Sequence, residues 1–307
     1  MQAVLLTGHG GPEMLRAGEA PDPVAGAGEV VVDVHAASVN AADYKVRLGQ
    51  GNYDLKFPYI LGRDFSGVVA ALGPGVADFR VGDEVFGVTD QGQEGAYAEK
   101  LAIKAAIIAK KPPRLGHAEA AAMALTSLTA LWAVEDTAQL KRGETILIQG
   151  GAGGVAGFAI QLAKYIRATV VTTASAANHD YVRGLGADRV IDYGGEDFAA
   201  SLRGCDVVFD TVGSEVQLRS YAVLKPGGRL VWIAAAPPGS QPPRRDVRVL
   251  RPNVARDRAP LERMAALYEK GAVTPPAITR YELAAAAAAH RVSEGRHLHG
   301  KLVIQIR

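Results

Sequence analysis

Residues 145–165, TILIQGGAGGVAGFAIQLAKY, place an apolar, β-branched stretch before an apolar helical stretch, with a turn of four glycines between them. The residues from Thr145 to Gln149 read as a buried strand, and those from Val155 to Tyr165 as a helix. The turn, Gly151-Ala152-Gly153-Gly154-Val155-Ala156, fits the pattern G-x-G-x-x-A, a form of the dinucleotide fingerprint. Gly151 is expected to make the sharp turn, with dihedrals that a Cβ forbids. Gly153 lets the backbone approach a pyrophosphate, and Ala156 is small enough for the helix to pack on the strand. The amides and the positive dipole end of the helix then face the phosphates.

A glycine-rich turn alone is a weak signal in a chain with 35 glycines; the strand before it and the helix after it supply the context. No Gly-Lys-Ser/Thr follows, which excludes a mononucleotide P-loop.

The 307 residues suffice for one large domain or two ordinary ones. A hydrophobic content of 48% with 21% charged residues is that of a globular chain. The net charge of +2 gives no electrostatic case for binding nucleic acid or an acidic membrane. No apolar run reaches the length of a bilayer span. The first residues, MQAVLLTGHG, lack a basic leader region and read as a first strand, so the expected location is cytoplasmic. Cys205 is the one cysteine, so no intrachain disulfide forms.

The first third is strand-like and punctuated by turns. Strands are expected at Glu29–Ala36, Phe65–Leu72, Val81–Phe86 and Tyr97–Ile103, with a helix at Asn40–Leu48. The middle alternates. A helix over His117–Asp136 precedes strands at Thr145–Gln149, Thr169–Thr173, Arg189–Ile191, Asp206–Asp210 and Gly228–Ala234, with helices between them. That rhythm implies a parallel, doubly wound α/β sheet with right-handed crossovers. Beyond Pro237–Pro243, a strand at Asp246–Leu250, helices at Leu261–Lys270 and Tyr281–Ser293, and a strand at Lys301–Ile306 leave the βα rhythm. They are expected to return to the first domain. The expected division is residues 1–117, 118–260 and 261–307.

Ordered along the whole chain stand Ala37-Ser38-Val39-Asn40-Ala41-Ala42-Asp43, Leu61-Gly62-Arg63-Asp64-Phe65-Ser66-Gly67, Gly82-Asp83-Glu84-Val85-Phe86-Gly87, Gly95-Ala96-Tyr97-Ala98-Glu99, the glycine turn, Gly186-Ala187-Asp188, Asp210-Thr211-Val212-Gly213, Leu224-Lys225-Pro226-Gly227-Gly228 and Gly300-Lys301-Leu302-Val303. This set resembles the medium-chain dehydrogenase/reductases, specifically the zinc-free quinone oxidoreductase branch. The resemblance implies a GroES-like β-barrel catalytic domain and a Rossmann domain, with the active site in the cleft between them. It also implies a homodimer, through edge strands near Asp246–Leu250.

Zinc-dependent members of that family hold the metal through cysteine and histidine, as tetrahedral zinc prefers. Here Asn40 stands where the first cysteine is expected, and Arg63-Asp64 where the histidine is expected. Both zinc sites are therefore expected to be missing, and His290, His297 and His299 read as a solvated turn. Without a Lewis acid, hydride transfer suits an acceptor already activated by conjugation, such as a quinone or an α,β-unsaturated carbonyl. Arg63 and Asp64 could pair with each other.

An NAD site places Asp or Glu about 20 residues after the first glycine. The second strand ends Thr173-Ala174-Ser175 with no acid, which favours NADPH. By resemblance, Ser175 and Tyr193 contact the 2′-phosphate. No Lys or Arg stands at 175–178, and which cation holds that phosphate is left open. By resemblance Thr129 bonds the nicotinamide carboxamide. Gly213 and Ile233, Ala234 and Ala235 follow the fourth and fifth strands and line the nicotinamide half.

Asn40 and, by resemblance to the proton-donor tyrosine of related enoyl-thioester reductases, Tyr53 are the candidate catalytic residues: a neutral donor near the acceptor oxygen stabilises charge developing there. Asp43 reads as an anchor of its helix. The expected activity is NADPH-dependent, zinc-independent hydride transfer to a quinone or related conjugated carbonyl. The alternatives are an enoyl-thioester or 2-alkenal reductase, and a non-catalytic NADPH-binding sensor or structural protein.

Overall fold

The computed structural model describes residues 1–50, 54–90, 92–93, 95–295 and 298–307. Tyr53 lies outside them. The chain forms two units, one of Met1–Leu125, Arg256–Glu269 and Pro275–Arg307, the other of Thr126–Ala255 and Lys270–Thr274.

The first unit is β-rich because its strands alternate. β1 (Gln2–Leu6), β2 (Leu15–Glu19), β3 (Glu29–Val39), α1 (Ala41–Arg47), β4 (Tyr59–Ile60), β5 (Asp64–Leu72), β6 (Glu84–Val88), β7 (Lys100–Lys104) and β8 (Ile108–Lys110) follow in order. In β3 the side chains of Val30, Val32 and Val34 are fully buried at every second position. They pack with Phe65, Val85, Ile103 and Ile108 into one core. β3 pairs antiparallel with β5 along its length and with β7 over its first half.

α2 (His117–Leu131) carries the chain across the unit boundary and runs into a π-helical turn, Trp132–Thr137. The boundary thus falls inside the helix, later than the expected residue 117. In the second unit follow β9 (Thr145–Ile148), α3 (Gly154–Ile166), β10 (Thr169–Ala174), α4 (His179–Gly184), β11 (Arg189–Asp192), α5 (Phe198–Ser201), β12 (Cys205–Asp210), α6 (Ser214–Ser220), β13 (Leu224–Trp232) and β14 (Arg248–Leu250). Every pairing between these strands is parallel, in the spatial order β11-β10-β9-β12-β13-β14. This is the doubly wound order, reversing direction between β9 and β12.

The C-terminal segment supplies α7 (Arg258–Glu269), β15 (Ile278–Glu282), α8 (Ala286–Glu294) and β16 (Lys301–Gln305). β16 pairs antiparallel with β3 and parallel with β15, which completes the larger sheet of the first unit. The helix expected from Tyr281 starts at Ala286 instead. Tyr281 lies in β15, opposite Ile304, so a tertiary strand pairing takes Tyr281 and Glu282, and the helix begins only within the alanine run. Residues 270–274 belong to the second unit. There the Gln161 carboxamide accepts from the Thr274 amide at 2.8 Å and from its hydroxyl at 3.0 Å, and donates to its carbonyl at 3.2 Å.

Candidate active site

The second unit gathers its polar turns at the carboxyl ends of its parallel strands. After β9 the chain turns at Gly150, whose φ of +72° belongs to the left-handed region. The sharp bend therefore sits one residue before the Gly151 assigned to it by sequence pattern. Gly151 serves close approach instead: a Cβ there would lie 2.3 Å from Thr172 Oγ1 of the neighbouring strand. The Thr172 hydroxyl is fixed by donating to the Ile148 carbonyl at 2.6 Å. Gly153 caps α3 in extended conformation, and Ala152, Gly154, Val155 and Ala156 form the rest of the turn and the first residues of the helix. The first amides of a helix have no partner within it and face an anion readily.

A buried hydrogen-bond chain holds the turn from behind. The Gly150 amide donates to Thr173 Oγ1 at 3.0 Å, and the Thr173 hydroxyl donates to Gln149 Oε1 at 2.7 Å. Gln149 Nε2 donates to Ser220 Oγ at 3.1 Å, and Ser220 to the Val216 carbonyl at 2.7 Å. Across the point where strand order reverses, the Thr211 hydroxyl donates to the Gln149 carbonyl at 2.8 Å. The fingerprint does not contain these supporting residues.

Gly213 follows β12 with a φ of +76°, and a Cβ there would lie 2.6 Å from the Ala235 carbonyl oxygen. The amides of Val212 and Gly213 donate to Asp210 Oδ1 at 2.9 and 3.0 Å. Burial raises the pKa of the Asp210 carboxyl, and these amides oppose that rise. The Ser214 amide donates to Ala235 O at 2.8 Å and Gln217 to Ala234 O at 3.3 Å, which ties residues 233–235 to the Gly213 turn. Ser175 follows β10 and Tyr193 follows β11; the register pairs Ala174 with Asp192, so the two stand side by side at the strand ends. Thr129 is buried in α2. Asn40 belongs to the first unit.

In the first unit the charges are buried together. Lys301 Nζ donates to Asn40 Oδ1 at 2.7 Å and to the Val39 carbonyl at 2.8 Å. Asn40 Nδ2 donates to Asp64 Oδ1 at 2.8 Å, and the Ser38 hydroxyl donates to Asp64 Oδ2 at 2.6 Å. The Asn40 amide donates to Asp43 Oδ2 at 2.8 Å and closes the start of α1. Tyr97 OH also donates to Asp43 Oδ2, at 3.0 Å. Arg63 Nε lies 3.9 Å from Asp43 Oδ1. Arg63, the residue before β5, thus stands close to Asp43.

Burial raises the Asp43 carboxyl to about 6 despite Arg63, and raises Asp64 against the pull of Lys301. Burial lowers the Lys301 ammonium, with Asp64 and Asp43 opposing. Tyr97 has one proton and gives it to Asp43, so His290 Nε2, 3.3 Å from Tyr97 OH, is the donor of that contact. His290 is the neutral imidazole, pushed down to about 3 by burial and by Arg47.

Among the described residues no group of three or more His, Cys, Asp or Glu is arranged to hold a metal ion, and no helix is long and apolar enough to cross a membrane. Cys205 is buried, its thiol pushed up to about 12 by burial and by Asp206.

A doubly wound parallel sheet with a glycine turn at its switch point defines a dinucleotide-binding architecture. The sequence model of the alcohol dehydrogenase GroES-like domain matches residues 26–113, and that of the family described as zinc-binding dehydrogenase matches residues 185–304. The quinone oxidoreductase from Coxiella burnetii is 34% identical and superposes with a TM-score of 0.92 over 100% of this chain and 99% of that one. The Escherichia coli quinone oxidoreductase complexed with NADPH is 27% identical, with a TM-score of 0.92 and complete coverage of both chains. The 2-methylene-furan-3-one reductase of Solanum lycopersicum is 37% identical over 69% of this chain and 56% of its own length. A mycocerosic acid synthase-like polyketide synthase of Mycobacterium tuberculosis is 33% identical over 92% of this chain, which spans only 14% of that protein's length. The chain belongs to the medium-chain dehydrogenase/reductase superfamily, in its quinone oxidoreductase branch.

Proposed function

We propose that this protein is an NADPH-dependent, zinc-independent reductase of quinones or related conjugated carbonyls. The observation that carries this reading is the turn after β9. Gly150 bends the chain at a positive φ, and Gly151 packs where a side chain would strike Thr172. Such a cradle fits a diphosphate and little else of that charge and size. Gly151 to Ala156 would hold the diphosphate, Ser175 and Tyr193 the 2′-phosphate, and Thr129, Gly213 and residues 233–235 the nicotinamide half. NADPH supplies a hydride when bound. The NADPH complex of the Escherichia coli relative supports this choice of cofactor.

The residues at the family's metal position support zinc independence, because they are not a zinc-type donor set. The family's metal position is occupied by Asn40, Arg63 and Asp64, and two cations, Arg63 and Lys301, neutralise the two carboxylates there. A divalent cation would have to displace those internal charges. The acceptor must therefore be polarised by neutral donors or by conjugation. Asn40 acts as a positioning residue, since its carboxamide nitrogen donates to Asp64 and lies 3.5 Å from the Ser38 carbonyl, and its oxygen accepts from Lys301. Tyr53 remains the candidate donor to the acceptor oxygen. A homodimer through the edge strand β14 is part of the same reading, and light scattering on the purified protein tests it.

Similarity to the furanone reductase and to the polyketide synthase favours a second reading, reduction of an enone or an enoyl thioester. The deciding experiment follows NADPH and NADH oxidation with a naphthoquinone and a crotonyl thioester in parallel, with and without chelator. Quinone turnover with NADPH, unchanged by chelator, is the expected result. Turnover of the thioester alone moves the assignment to an enoyl reductase. Binding of NADPH with no turnover of either supports the non-catalytic sensor. Activity lost to chelator and restored by zinc overturns zinc independence.

A further inference from the structure

We propose that Gln161 is a positioning residue for hydride transfer: by clamping Thr274 it holds the helix that starts at the glycine turn at a fixed reach from the sheet that carries Asn40. The inference rests on the functional reading above. It concerns a residue about two turns into α3, outside those assigned to the cofactor.

Gln161 is the one polar side chain in α3 between Gly154 and Lys164. It is 9% exposed, among Ala159, Ile160, Leu162 and Ala163, which are fully buried. Packing at such a position asks only for an apolar side chain, and a buried carboxamide costs stability unless it is bonded. Here Oε1 accepts from the Thr274 amide at 2.8 Å and from its hydroxyl at 3.0 Å. Nε2 donates to the Thr274 carbonyl at 3.2 Å and lies 3.5 Å from the Gly157 carbonyl of its own helix. With its lone pairs and hydrogens used, the carboxamide has one orientation. It pairs with the N–H and C=O of Thr274 as a neighbouring strand would.

What Thr274 is attached to gives this clamp its reach. The chain belongs to the first unit through Glu269, to the second over Lys270–Thr274, and to the first again from Pro275. Val273, buried, and Thr274 anchor the excursion. Pro275 and Pro276 follow, each with φ locked by its ring. Next, the Ala277 carbonyl accepts from the Lys301 amide at 2.8 Å, and Ile278 pairs with Lys301 in the register of β15 and β16. Lys301 is also the residue whose ammonium bonds Asn40 Oδ1. The stretch from Thr274 to Ala277 spans at most about 11 Å. The path from Gln161 to Asn40 therefore contains a clamped residue, two prolines and two bonded residues, and no glycine. Of the other crossings between the units, Ala255–Arg256 lies in a stretch with neither helix nor strand, and Glu269–Lys270 leads into Gly271 at a φ of +67°. Only α2, helical across its crossing, is comparably braced.

Hydride transfer is steep in distance, and a misplacement of about 1 Å costs up to about 100-fold. The test is single-turnover oxidation of NADPH by the full chain at saturating NADPH and acceptor. The acceptor is whichever of naphthoquinone and crotonyl thioester the unaltered chain reduces, and NADPH deuterated on the transferred hydrogen marks the hydride step. Kd for NADPH is read by fluorescence titration. Gln161→Met keeps the apolar packing and removes the clamp. It should slow hydride transfer about ten- to 100-fold, with an NADPH Kd within about twofold of the unaltered chain. Thr274→Val loses only the hydroxyl bond and should slow the step about two- to fivefold, whereas Thr274→Ser should match the unaltered chain. That pair decides the matter even if Gln161→Met does not fold. An unchanged hydride-transfer rate in Gln161→Met or in Thr274→Val would overturn the inference. So would a slowed rate with an equal weakening of NADPH binding, which would make the clamp a support of α3 alone. No NADPH oxidation by the unaltered chain with either acceptor would overturn the functional reading, and this inference with it.

Discussion

The Lys301 ammonium donates to the Asn40 carboxamide oxygen at 2.7 Å across 261 positions of sequence. It joins the first residue of β16 to the cap of α1, and through Asn40 it reaches Asp64. Removing the ammonium leaves Asn40 Oδ1 and the Val39 carbonyl without this donor and Asp64 without the cation that most offsets its burial. Lys301→Met is therefore expected to lower stability by about 3 kcal/mol, read from urea unfolding. Adding Asp64→Asn should recover part of that loss, since it removes the uncompensated charge. Additive losses in the double variant would show that the two side chains are not coupled.

His290 gives the first unit a pH dependence with a definite sign. Its folded pKa is about 3, below the ordinary 6.5, so the unfolded chain takes up a proton that the folded chain refuses. The stability it contributes is complete above about pH 6.5 and is lost as pH falls toward 3. Asp43, raised to about 6 from 3.8, works in the opposite sense: its contribution is present below about pH 4 and lost as pH rises through 6. His290→Gln keeps a donor for Tyr97 and removes the titration. The stability advantage of the unaltered protein over this variant should shrink by about 1.4 kcal/mol per pH unit below pH 6. A difference constant from pH 7 to pH 4 would mean that His290 is not held neutral.

Of the two glycines at the turn, Gly151 is expected to tolerate a methyl group less well. At Gly151 the added Cβ meets Thr172 Oγ1 at 2.3 Å, and Thr172 cannot yield without losing its bond to Ile148. At Gly150 the Cβ meets Thr211 Oγ1 and Val212 Cγ2 at 3.1 Å, and the positive φ adds about 1 kcal/mol. Gly151→Ala should reduce NADPH affinity more than tenfold, with about 1–3 kcal/mol of stability lost to overpacking. Fluorescence titration and thermal unfolding of both variants decide the ranking.

Thr173 is the hinge of the chain behind that turn. Thr173→Val preserves shape and removes the acceptor of the Gly150 amide and the donor to Gln149. The expected loss is about 1–3 kcal/mol, with weaker NADPH binding and an unchanged secondary-structure spectrum. NADPH affinity equal to that of the unaltered chain would show that the turn holds itself.

The βα rhythm was legible because each of its signals is local. β9 was expected at Thr145–Gln149 and lies at Thr145–Ile148, and β10 was expected at Thr169–Thr173 and lies at Thr169–Ala174. The glycine turn was legible for the same reason, although the positive φ falls on Gly150, which the fingerprint does not count. β15 was not, because Ile278–Glu282 becomes a strand only when β16 lies beside it. The Lys301–Asn40–Asp64 cluster and the Tyr97–His290 contact were equally hidden. Their members are separated by 24 to 261 residues, and a buried lysine looks in sequence like any surface one.

The pairing of β16 with β3 sets an order of events during synthesis. Residues 36–39 of β3 find the partner on their second edge only at residues 302–305, and Val39 is 262 positions from the lysine that bonds its carbonyl. At about 5–20 residues per second, roughly 13–50 s pass on the ribosome before that edge can close. Through that interval the emerging chain carries an open strand edge and an Asn40–Asp64 pair without its ammonium. Those conditions invite protection by a chaperone or, failing that, pairing with a neighbouring nascent chain.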